Sequence, residues 1–211
     1  MTKPTTHVLL ITDMSGSMGA LAEDVRGGFN TYLDELAKDG GKYRLTVTLF
    51  DTEFIPLCTA AKLADTPRLT NVNYAPRGMT ALHDAIGKTV AEFESGTKLG
   101  EGDRVLVVVQ TDGHENSSRE FNGVQVAELI KAREATGVWT FIYLGAGPSA
   151  WGQGEQLGMR SVNTAATAGG TRATYAGLAT ASADYSRGAS AGETFVVLDA
   201  AAGDKTGGSA A

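Results

Sequence analysis

The sequence contains one cysteine, Cys58, in 211 residues. No internal disulfide can form, and no thiolate cluster can hold a metal. No apolar run approaches the ~20 residues needed to span a bilayer. The first apolar run, near the N-terminus, is too short for a secretory leader and is interrupted by Asp13. No block of Lys and Arg occurs, and the net charge is -6, which argues against a general nucleic-acid binder. These absences point to a cytoplasmic protein, with neither a membrane nor a nucleic acid as partner. The length suits one domain with a full core. The expected division is a folded domain over 1–188 and an Ala/Gly-rich, partly disordered tail over 189–211.

The most informative stretch runs from His7 to Met18. Val8 to Ile11 is continuously apolar, as a strand reads when helices cover both faces of its sheet. It ends at Asp13, and Ser15 and Ser17 follow at alternate positions around Gly16. Met18, Leu21, Val25, Phe29, Tyr32 and Leu36 then form one apolar helical stripe, closed by Gly40-Gly41. Tyr43, Leu45, Val47 and Leu49 alternate with polar residues, so this strand is expected to have one better-covered face. Residues 53–58 read as a return strand at an edge, because Pro56 cannot join a central ladder. Residues 60–79 read as loop with at most a short helical turn.

A helix follows Thr80, with Leu82, Ile86, Val90 and Phe93 inward. Val105 to Val109 is a second uninterrupted apolar run, and it ends in Thr111-Asp112-Gly113. A helix over about 121–136, a strand over 138–144, a short helix over 149–158 and a short strand over 161–163 come next. A last helix begins near Gly170, and Phe195 to Leu198 could pair as a strand. This alternation predicts an α/β fold: a doubly wound, mostly parallel sheet with one antiparallel edge strand and helices on both faces. The two continuous apolar runs should be neighbours at its centre.

Ligands sit at the carboxyl edge of such sheets. Asp13, Ser15, Ser17, Thr80 and Asp112 all leave elements at that edge. Taken singly, each hydroxyl could be a helix cap and Asp112-Gly113 a turn. Taken together, they are five hard oxygen donors. Two neighbouring carboxylates repel unless a cation intervenes. The donor set suits Mg²⁺, with Mn²⁺ or Ca²⁺ as alternatives, and does not suit zinc or copper.

Asp13-Met14-Ser15-Gly16-Ser17-Met18, Gly78-Met79-Thr80 through Ile86, and Thr111-Asp112-Gly113 resemble the von Willebrand factor A (VWA) domain over roughly residues 7–187. The three motifs correspond to that family's metal-ion-dependent adhesion site (MIDAS). The resemblance implies adjacent first and fourth strands and a divalent ion at the five positions. It also implies a protein partner that supplies an Asp or Glu to the ion. With no secretory leader, it points to the intracellular bacterial or phage type. Intracellular members act as assembly modules, some beside AAA-type ATPases.

Asp84 shares a helix face with Thr80 and either supports the ligands from behind or is a solvated or capping charge. Glu115 and Asn116 either border the partner surface or are ordinary loop polars. Arg77 either meets a partner carboxylate or makes a surface ion pair. His7, His83 and His114 lack zinc spacing.

The rival reading is a Mg²⁺-dependent phosphatase-like hydrolase using the same oxygens. A haloacid-dehalogenase-type enzyme needs a general acid two residues after its first Asp, and here that residue is Ser15. Neither Ser15 nor Ser17 lies in G-x-S-x-G. Gly145 to Ala150 fits a dinucleotide fingerprint, but Pro148 interrupts it and no acidic residue lies about 20 residues on. A tight strand-to-helix turn accounts for it.

Overall fold

A computed structural model describes residues 3–146 and 148–203. Six strands form one sheet: β1 (Thr6–Asp13), β2 (Tyr43–Phe50), β3 (Phe54–Lys62), β4 (Arg104–Thr111), β5 (Trp139–Ala146) and β6 (Arg160–Thr164). Their order across the sheet is β3-β2-β1-β4-β5-β6. All neighbours are parallel except β2 and β3. Pro56 lies in β3, the antiparallel edge strand, as expected for a residue that cannot donate to a ladder.

β1 and β4 pair directly, with Leu9 beside Val107 and Ile11 beside Val109. Their continuous apolar runs reflect coverage on both faces. Val8 and Leu10 belong to one core with Val25, Phe29, Tyr175 and Leu178. Leu9 and Ile11 belong to the other with Leu82, Ile86, Val126 and Phe141. α1 (Ala22–Asp39), α5 (Ala168–Ser186) and α6 (Ala191–Ala202) pack on the first face. α2 (Leu82–Gly96) and α3 (Gly123–Glu134) pack on the second, and α4 (Pro148–Gln156) joins β5 to β6.

Three expectations need correction. β2 is covered on both faces: Thr46 and Thr48 are buried, and the Thr48 and Thr89 hydroxyls lie 3.0 Å apart. Hydrogen-bonded threonines thus fill what the alternation marked as a wetter face. β3 runs four residues past Cys58 to Lys62, through an irregularity where Ala60 takes a φ of 47°. Residues 195–198 are helical, within α6, rather than extended. Ser190 and Glu193 form a reciprocal capping box at its start, and Thr194, Leu198 and Ala202 bury its inner stripe. The expected tail is therefore structured over 191–202, while residues 204–211 lie outside the described residues.

α5 and α6 cross closely. A Cβ added to Gly177 would stand 2.3 Å from Ala201 Cβ, so only glycine allows this approach. At the amino edge of the sheet, the Arg104 guanidinium stacks 3.7 Å from the Tyr185 ring centre. It also donates to the carbonyls of Tyr185 and Ala189, tying the end of α5 to β4.

Candidate metal centre

The register of β1 against β4 brings their last residues to one edge, so Asp13 and the Thr111-Asp112 pair emerge side by side. The chain then turns through Ser15 into a short 3-10 segment, Gly16–Leu21, before α1. Ser15 holds the N-cap position but makes no side-chain capping bond. α2 likewise begins after Ala81 without a side-chain cap. No side chain at these two helix starts is spent on capping. Ser15 Oγ and Ser17 Oγ lie 3.1 Å apart, and Ser17 Oγ donates to Asp112 Oδ1 at 2.6 Å.

Asp13 is fully buried. Its Oδ1 accepts the Ser15 N–H at 2.6 Å, and its Oδ2 accepts the Thr111 hydroxyl at 2.5 Å. Burial pushes the Asp13 carboxyl up to about 6, and the charge of Asp112 adds to this. The bonds from Thr111 and Ser15 pull the other way. A buried carboxylate held beside a second one is a group that a cation would relieve.

Gly113 marks the centre of the cluster. A Cβ placed on it would stand 2.9 Å from Thr80 Oγ1, 3.5 Å from Asp13 Oδ2 and 3.6 Å from Ser17 Oγ. Oxygens from two loops thus face Gly113 on the third, across one small volume that any larger residue at 113 would invade. Among the described residues no group of three or more His, Cys, Asp or Glu could hold a metal. A cation here would need the hydroxyls as well as the two carboxylates. That donor set fits a hard divalent ion.

The loops are locked to one another by backbone bonds. The Gly16 N–H donates to Gly78 O at 3.3 Å, and the Arg77 N–H to Met14 O at 2.8 Å. Gly78 has a φ of 67°, and a Cβ there would meet Thr52 Oγ1 at 2.8 Å. Thr80 and Asn116 exchange two bonds: Thr80 N–H to Asn116 Oδ1, and Asn116 N–H to Thr80 O.

The other three residues singled out from the sequence serve this scaffold. Asp84 is buried, and its carboxylate accepts the N–H groups of Arg119, Glu120 and Phe121. Burial opposes its ionisation, yet those three bonds hold its carboxyl below the ordinary value. Glu115 turns inward instead of bordering an open surface. It accepts N–H groups from His83, Ser117 and Ser118, and the Ser118 hydroxyl. Arg77 is committed to Asp51 at 2.9 Å and Glu53 at 3.0 Å. These carboxylates of its own chain already engage its guanidinium.

Sequence reading missed Thr111 and Tyr74. Tyr74 is fully buried, and its hydroxyl donates to Asp13 O at 2.7 Å. Thr111 stood next to Asp112 in a recognised motif, so its place at a strand end was a usable signal. Tyr74 sits in an aperiodic loop 61 residues from its partner, and nothing local marks it.

The strand order and the convergence of the three loops can be set beside known structures. No family model and no curated protein matches the chain. Solved structures do match. The proximal thread matrix protein 1 of the mussel byssus is 13% identical with a TM-score of 0.65, over 87% of this chain and 46% of that one. The PilB minor pilin of Streptococcus sanguinis is 12% identical with a TM-score of 0.62, over 87% and 62%. A von Willebrand factor type A protein from Catenulispora acidiphila is 13% identical with a TM-score of 0.58, over 85% and 43%.

The fold is VWA-like.

The chain thus spans less than two thirds of the length of each of these VWA-like neighbours. A further structure of the byssus protein carries a zinc-occupied MIDAS motif; it is 16% identical with a TM-score of 0.50, over 69% and 36%. No helix among the described residues is long and apolar enough to cross a membrane.

Proposed function

We propose that the protein is a divalent-cation-dependent protein-binding module. Asp13, Ser15, Ser17, Thr80 and Asp112 would hold Mg²⁺, and the partner would supply an Asp or Glu side chain. The observation that carries this reading is the meeting of Thr80 Oγ1, Asp13 Oδ2 and Ser17 Oγ around Gly113, with Asp112 hydrogen-bonded to Ser17. The zinc-occupied MIDAS motif of a VWA-like neighbour supports metal binding on this fold. When bound, the ion would supply a concentrated positive charge able to take one more anionic oxygen.

The chain's own residues set the conditions. Two carboxylates balance a divalent charge, and the three hydroxyls add donors without adding charge. The locked loops keep these oxygens in place before any partner arrives, which lowers the ordering cost of binding. Ser15 stands where an enzyme of the rival type needs its general acid, and a serine hydroxyl cannot serve as one. The reading also takes the protein to be cytoplasmic, the setting expected from its sequence.

The direct test is thermal stability with and without ion. A ligand that binds only the folded state adds RT ln(1 + [L]/Kd), about 2.7 kcal/mol at a hundredfold excess over Kd. Mg²⁺ should raise Tm, EDTA should reverse it, and Asp112→Ala should remove the response. Running Mn²⁺, Ca²⁺ and Zn²⁺ alongside identifies the preferred ion. Melting curves indifferent to all four ions would refute the site. Turnover of a generic phosphoester in Mg²⁺ would favour the hydrolase instead.

A further inference from the structure

Six buried side-chain atoms lack a hydrogen-bond partner among the described residues. Both His7 nitrogens and Thr97 Oγ1 lie towards the amino edge of the sheet, at the start of β1 and the end of α2. The other three, Tyr143 Oη, Gln153 Nε2 and Ser117 Oγ, belong to elements behind the metal edge. Tyr143 is fully buried. The register sets it level with Val109 and Ile11, two residues before Thr111 and Asp13 on the same face of the sheet. Burial pushes its hydroxyl above the ordinary value, and the charge of Asp13 adds to this. α4 sits directly on the ring: a Cβ on Gly154 would stand 2.5 Å from Tyr143 Cγ. Gln153 is the next residue of that helix, and its Oε1 accepts the Glu115 N–H at 3.1 Å. This bond fixes which way the amide faces, because a turned amide would set two donors against each other. Nε2 is therefore the end left over. Ser117 is tied to the same acid, its N–H donating to Glu115 Oε1 at 2.9 Å.

We propose that Tyr143, Gln153 and Ser117 hold a buried water behind the metal edge, and that Tyr143 and Gln153 are thereby positioning residues for the loop carrying Asp112. A buried donor or hydroxyl without a partner is costly, and folded proteins seldom keep several in one region. The three atoms make no bond to one another, so what they share must be small and must both accept and donate. Each atom is closed off from solvent, which rules out a side chain of a partner protein. Water meets both conditions: it accepts from Gln153 Nε2, and the two hydroxyls rotate to give or take its other bonds. The loop after β4 is then pinned from α4 as well as through the Thr80–Asn116 exchange. Asp112 is held opposite Asp13 before an ion arrives. The positioning role rests on the metal-binding reading above, whereas the water itself needs no ion.

Tyr143→Phe on the full chain tests this, because it removes the hydroxyl and nothing else. If that hydroxyl is an orphan, its loss relieves a buried polar group and Tm in EDTA rises. If it holds water, Tm in EDTA falls, by about 2–4 °C. A high-resolution crystal structure of the metal-free protein should show one water within about 3.2 Å of both Tyr143 Oη and Gln153 Nε2. That water should be lost in Tyr143→Phe. Mg²⁺ affinity, read by calorimetry, should weaken about three- to tenfold in the variant, as expected when a supporting contact behind a metal site is removed. Gly177→Leu, far from this edge, lowers stability by another route and should bind Mg²⁺ as the wild type does. A raised Tm, or no water at that place, overturns the proposal. An ordered water with unchanged Mg²⁺ affinity in Tyr143→Phe overturns the positioning role. A wild type that binds no Mg²⁺ overturns the metal centre itself, and is told apart because the water and the Tm shift are both read without ion.

Discussion

Burial pushes the Asp13 carboxyl from 3.8 up to about 6, so in the absence of a cation its charge is unwelcome in the folded protein. A carboxyl raised on folding favours the folded state while it is protonated. That contribution is complete below about pH 4 and is lost as the pH rises through about 6, a change of about 3 kcal/mol. Melts in EDTA between pH 4.5 and 7.5 should therefore show the wild type losing stability relative to Asp13→Asn, which has no such proton. Parallel curves would mean that Asp13 ionises freely and that its hydrogen bonds, not burial, dominate. The same proton competes with metal, so Mg²⁺ affinity should fall about tenfold per pH unit below 6. Asp13, Ser15, Ser17, Thr80 and Asp112 could be singled out together from the sequence because each sits where a strand or helix boundary can be read from local pattern. Tyr74 and the Thr80–Asn116 exchange were not, since their partners are set by loop packing across tens of residues.

At the scale of elements, two substitutions separate support from contact. Asp84 touches none of the five oxygens through its carboxylate, but it holds the N–H groups of residues 119–121. Asp84→Ala leaves those donors without their charged acceptor and should cost about 2–3 kcal/mol. Hydrogen exchange should quicken over 113–122, and Mg²⁺ affinity should drop although the ligands remain. Unchanged exchange in that loop would show that other bonds suffice. Gly177→Leu forces a side chain into the α5–α6 crossing, where even a Cβ would meet Ala201 at 2.3 Å. Overpacking of this kind costs about 1–3 kcal/mol, and α6 should exchange faster with Mg²⁺ binding retained; slow exchange in α6 would argue against the crossing. α6 is also the element that pattern reading lost. Phe195-Val196-Val197-Leu198 is rich in β-formers, but Ser190 and Glu193 spell a capping box three residues apart, and that local signal outranks propensity once packing on α5 supplies the burial. The β1 and β4 strands were readable because burial on both faces leaves one unambiguous apolar run.

At the scale of the molecule, the sheet delivers rigidity to an edge built of loops. β1 and β4 sit at its centre, each flanked by two strands and two cores, so Asp13 and Asp112 stand at the ends of strands enclosed on every side. A partner meeting that edge would gain through one concentrated charge at short range, where Coulomb attraction is strong. Its carboxylate must shed water, which costs several kcal/mol, and a bare polar surface would not offset that. Binding should then require the metal and one acidic side chain jointly. A double-mutant cycle tests this with a captured partner: Thr80→Ala here, Ala in place of the partner's acid, and both together. Each single change should weaken binding by about 1–3 kcal/mol, and the pair should cost little more than either, because both remove one interaction. EDTA should act as a third route to the same loss. Additive losses, or binding that survives EDTA, would place the interface away from this edge and leave the ion a structural role.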